Sequence, residues 1–96
     1  MHKFLVLNYA GSRPQSDKAW DKFFVIAQQS GKFVGGSALG ERKGYSEKGF
    51  QEVEAKTVVG YFIFKAEDEA EVAEILKSCP IISSGGSFDI IKLKMG

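Results

Sequence analysis

The stretch Thr57–Phe64, TVVGYFIF, constrains this chain more than any other. In a small domain built on one sheet, a strand usually alternates apolar and polar residues, because one face of the sheet meets water. Here Val58, Phe62 and Phe64 fall on one side and Val59, Tyr61 and Ile63 on the other, so both faces need cover. KFLVLNY, Lys3 to Tyr9, has the same two-sided character. The chain has 96 residues, enough for a single domain (1–96) and its own core. A domain of that size buries little more than about 60% of its unfolded surface. The second cover is therefore expected from outside the chain.

The remaining elements follow from periodicity and punctuation. Ser16 reads as a helix N-cap, with Asp17 placing negative charge in the first turn. Trp20, Phe23, Phe24 and Ala27 recur at i, i+3, i+4, i+7, one buried helix face, and Gly31 ends it. KFVGGSAL (Lys32–Leu39) reads as a second strand interrupted by two glycines. Gly40 to Gly49 reads as a polar loop, and FQEVEA as a short strand or hairpin arm. After the two-sided strand, EDEAEVAEILKSC reads as a second helix. Asp68 and Glu71 have capping-box spacing, Val72, Ile75, Leu76 and Cys79 form the apolar stripe, and Pro80 marks the end. IISSGGS reads as a loop and Phe88–Leu93 as the last strand.

The resulting order, β-α-β-β-α-β, predicts an α+β fold of the ferredoxin-like kind, a four-stranded antiparallel sheet with two helices on one face. Right-handed crossovers put both helices on the same side. The bare face is apolar, and such a face marks an interface. The expected partner is a second copy, giving a homodimer packed sheet against sheet.

Composition excludes several function classes. Thirteen Lys and Arg against twelve Asp and Glu leave a net charge of +1, so no global field favours nucleic acid or a membrane surface. No apolar run reaches the ~20 residues of a membrane span, and the N-terminal run is too short for a signal peptide; the cytoplasm is the expected location. The single cysteine allows no internal disulfide, and the single histidine, His2, has no second ligand near it. No metal or cofactor is expected. A Ser–His or Cys–His nucleophile would have to recruit His2. The glycines of GKFVGGSALG follow a helix and sit within a strand, the reverse of a phosphate loop, and read as a bulge or a close backbone approach. KGFQEVEA begins like the RNA-stacking motif of RRM domains. Glu52 and Ala55 then stand where that motif needs aromatics, and Glu52 and Glu54 repel phosphate. Cys79, at the end of a helix stripe, reads as a buried inert thiol. Trp20 reads as core or as the wall of a small pocket, its indole N–H needing a partner. Tyr9, Tyr61, Asn8, Arg13 and Arg42 are the remaining polar groups within reach of a ligand.

SGKFVGGSAL, VVGYFIFKAEDEAEVAEILKSCP and GGSFDIIKL together resemble the YCII-related (DGPF) domain proteins, small bacterial proteins of the dimeric α+β barrel type. The resemblance covers most of the chain and implies the same homodimer. It also exposes departures. The Asp-Gly-Pro-Phe signature falls on EKGF, of which Phe50 is kept, with Glu52 also fitting. Some members pair a His in the first helix with an Asp before the proline that ends the second. Those positions hold Trp20 and Cys79 here, which cannot do the same acid–base work. The Glu-x-Arg of many final strands reads Asp89-Ile90-Ile91. The residues so marked as ligand-binding candidates are Trp20, Cys79, Tyr61, Tyr9 and Asp89, with no catalytic residue assigned. Because the two helices run antiparallel, Trp20 and Cys79 are expected to be neighbours. The expected function is binding of a small organic ligand, or an accessory role. The alternative is a cofactor-independent lyase or isomerase of a small aromatic or lactone substrate, with Asp89, Tyr61 or Tyr9 as base. RNA binding through the sheet is the third reading.

Overall fold

The computed structural model describes residues 1–52 and 58–94. Its sheet is built around β1 (His2–Tyr9) and β5 (Val58–Ala66), the two apolar strands, paired antiparallel with Phe4 opposite Phe64 and Val6 opposite Phe62. β2 (Phe33–Ala38) adds to the far side of β5 and β6 (Ser87–Lys92) to the far side of β1, giving the order β2-β5-β1-β6. All three pairings are antiparallel. The fold is α+β on a four-stranded antiparallel sheet, an arrangement compatible with the ferredoxin-like one.

Local chemistry sets the helix boundaries. In α1 (Asp17–Gln29) the Ser16 hydroxyl accepts from the Ala19 N–H at 3.1 Å, and Gly31 follows the C-cap at φ +73, a left-handed conformation that glycine takes without strain. α2 (Glu69–Leu76) starts at Asp68, whose carboxylate accepts from the Glu71 N–H at 3.0 Å. Glu71 reaches back to the Glu67 N–H rather than to that of the cap itself. Both helices lay their stripes on one face of the sheet, where Phe4, Val6, Phe23, Ala27, Phe62, Phe64, Val72 and Leu76 form the buried core.

Two stretches differ from the sequence reading. The segment from Gly40 to Gly49 is not all loop: β3 (Gly44–Ser46) pairs with β4 (Gly49–Gln51) in a separate hairpin, turning at Gly49 with φ +93. The expected FQEVEA arm is described only to Glu52; Val53–Thr57 lie outside the described residues. The second helix stops at Leu76, and Pro80 starts a helical turn instead of merely ending one. Cys79 caps α3 (Pro80–Ser83), with the proline at its first position, where a missing N–H costs nothing. Two irregularities shape the sheet. The register shifts between Phe33 and Gly35 on β2, and again where Asn8 faces Gly60 but Tyr9 faces Val58. The second bulge breaks the strict alternation of β5 at Val59.

Candidate ligand cavity

Reading the helix-facing side of the sheet in rows, from β6 through β1 and β5 to β2, shows how the site arises. The first row is Lys92, Phe4, Phe64, Phe33. The second is Ile90, Val6, Phe62, Gly36. The third is Phe88, Asn8, Gly60, Ala38. On β5 and β2 side-chain bulk falls from the first row, Phe64 and Phe33, to the third, Gly60 and Ala38, and the helices cannot sink to follow it, because the aromatic rings of the first two rows hold them off. The space left open is a cleft of about 600 Å³, within the ~300–1,000 Å³ usual for small-molecule sites.

Trp20 forms its wall. The indole stacks on Phe24 with centroids 5.7 Å apart and meets Phe62 edge-on at 6.4 Å. Its Nε1–H donates to Gln15 Oε1 at 2.9 Å, Gln15 Nε2 donates to Ser84 Oγ at 3.2 Å, and the buried Ser84 hydroxyl donates to the Ile81 carbonyl at 2.8 Å. This relay fixes the ring's orientation from the α3 side. Glycine is required on the floor: a methyl group at Gly36 would run into the Tyr61 carbonyl. Val59, Ile81, Ala10 and Ser37 complete the lining. No ionisable side chain is among the described lining residues.

The five residues marked from sequence divide between two sides of the sheet. Trp20 lines the cleft. Cys79 belongs to the same packed cluster but lies beneath it, fully buried, and burial pushes its thiol up to about 11. α1 packs on α3, and Trp20 shares the cleft with Ile81, two residues beyond Cys79. Tyr9, Tyr61 and Asp89 stand on the opposite face. There Tyr9 Oη donates to Asp89 Oδ2 at 2.6 Å, and this hydrogen bond, first among the causes, raises the phenol above its usual 10.0. Asn8, Gln15, Gly60 and Ala38 were not in that set. Their signal was available: an Asn ending the alternation Phe4, Val6, and small residues where inward strand positions should be large.

Compared with models of known protein families the chain matches none, and no curated protein matches it.

Proposed function

We propose that this protein binds a small, neutral, largely apolar molecule in the cleft beside Trp20, and does so as a homodimer of the dimeric α+β barrel kind to which the YCII-related resemblance belongs. The cleft carries the reading: about 600 Å³ walled by stacked aromatic rings, floored by glycine and alanine, with no charged side chain among its described lining residues. The pairing is supported by the face away from the helices. Leu5, Leu7, Tyr61 and Ile63 are only half-buried there, and Ile91 is 39% exposed. On this reading the His-and-Asp chemistry of relatives is replaced by packing at Trp20 and Cys79, and the protein carries or senses its ligand without converting it.

Trp20 is the chain's single tryptophan, so intrinsic fluorescence reports directly on the cleft. Titration with small neutral aromatics such as p-cresol and toluene is expected to change that emission saturably. Sedimentation is expected to give twice the chain mass of 10.5 kDa. Emission indifferent to every such compound would refute ligand binding, and a monomer at micromolar concentration would refute the dimer.

A further inference from the structure

If the cleft is a ligand site, the reading on which this inference rests, its ligand meets one buried polar side chain. Asn8 is 4% exposed, lines the cleft, and its Oδ1 is buried without a hydrogen-bond partner among the described residues. A buried amide oxygen left unpaired destabilises the fold. The strand itself offers no reason for it. Phe4 and Val6 precede Asn8 on the same face, and a third apolar residue would fill the gap opposite Gly60 and remove the cost.

The other polar groups in the cleft are engaged. Gln15 uses its oxygen on Trp20 and its nitrogen on Ser84. The Ser37 hydroxyl donates to the Ala38 carbonyl at 2.8 Å. Asn8 Nδ2 makes no hydrogen bond among the described residues either, so the unmet capacity is that of the whole carboxamide, an acceptor and a donor, in an apolar cleft. A half-turn about the Cβ–Cγ bond exchanges the O and N ends of the carboxamide, so Asn8 can turn its oxygen toward a guest. We infer that Asn8 is the specificity-determining residue of the cleft, and that the ligand is a neutral, flat, mostly apolar molecule bearing a hydroxyl that both donates and accepts, of the class of phenols, seated with that hydroxyl on the Asn8 carboxamide and its ring against Trp20.

Three probes of similar shape separate donor from bulk and from simple polarity: p-cresol, toluene and 4-methylanisole. Wild-type protein is expected to bind p-cresol roughly 3- to 10-fold more tightly than either of the others, the worth of one neutral hydrogen bond. Asn8→Leu, near in size and without polar atoms, is expected to erase that preference while raising the melting temperature. The opposed signs on affinity and stability are not produced by a merely structural asparagine. A preference for p-cresol that survives Asn8→Leu overturns the inference. Equal binding of all three probes to wild type overturns it too while leaving the cleft as a ligand site; binding of none overturns the cleft reading with it. Should Asn8→Leu fail to fold, the side-chain amide resonances of Asn8 in the wild-type protein decide. They are expected to move with p-cresol and not with toluene, and identical responses to both would overturn the inference.

Discussion

The two ends of the helix-facing side of the sheet are made from the same four strands and differ in one respect, side-chain volume. At the Phe4 end, Phe4, Phe64 and Phe33 abut, and Phe33 meets Phe64 edge-on at 5.4 Å. At the Asn8 end, Gly60 and Ala38 occupy the matching positions and the same helical roof covers a cleft. Small domains have little stability to spare, and close packing is where it comes from. The full end supplies stability; the open end uses the rigidity so obtained to keep a space that would otherwise collapse. A hollow in a fold of this size is informative because filling it would require only larger side chains at positions already facing inward.

Substitutions at each end test this division. The largest effect is expected at the full end. Phe64→Ala removes a wholly buried ring and should cost about 3–5 kcal/mol in urea unfolding; a loss under 1 kcal/mol would mean that the two ends do not differ. A smaller effect is expected at Cys79. Its folded pKa of about 11 exceeds the ordinary 9.0, so the neutral thiol is the form that folding favours. The associated stability is complete below pH 9 and is lost as pH rises toward 11. Unfolding measured across that window should show the decline in wild type and less of it in Cys79→Ala, and iodoacetamide at pH 8 should label the native thiol far more slowly than a free peptide cysteine. The smallest stability effect is expected at the open end. Ala38→Leu adds bulk to the cleft without displacing backbone and should change stability by less than about 1 kcal/mol, while abolishing the response of Trp20 fluorescence to p-cresol. A large destabilisation there would show the cleft to be already full.

The elements were legible where a single strong signal controlled them. Ser16, Asp68 and Gly31 set helix ends through local hydrogen bonds and backbone conformation, and local sequence reports such features well. One arm of the β3–β4 hairpin was legible, since β4 falls at the start of FQEVEA, but β3 was not, because GYS is too short to show a period; the pair is held by cross-strand contact, with Tyr45 and Phe50 rings 5.0 Å apart yet 75% and 77% exposed. Nor was the helical turn at Pro80, since a proline after an apolar stripe signals a stop as readily as a start. At the site, Trp20 was recognisable as a pocket wall from its place on the α1 stripe. The rest of the cleft depends on register. Asn8, Gly60 and Ala38 lie far apart in sequence and become one row only through the pairing of β1 with β5 and β5 with β2. A bulge at either pairing shifts the row, and strand patterns do not disclose bulges. The same limitation grouped Tyr9, Tyr61 and Asp89 with Trp20, because polarity alone does not say which face of a two-sided strand a residue occupies.

The placement of β1 between β5 and β6 bears on how the chain is made. As it leaves the ribosome, Lys3–Tyr9 emerges well before either strand that flanks it in the sheet, and Tyr9 ends up opposite Val58 on one side and Ser87 on the other. Until Val58–Ala66 has been synthesised, an apolar segment with unpaired N–H and C=O groups on both edges is exposed to other chains. Ser87–Lys92 closes its second edge later still. Pairing across such sequence distances slows folding relative to a helical bundle of equal length, and it prolongs the time for which this apolar segment stays uncovered in the nascent chain.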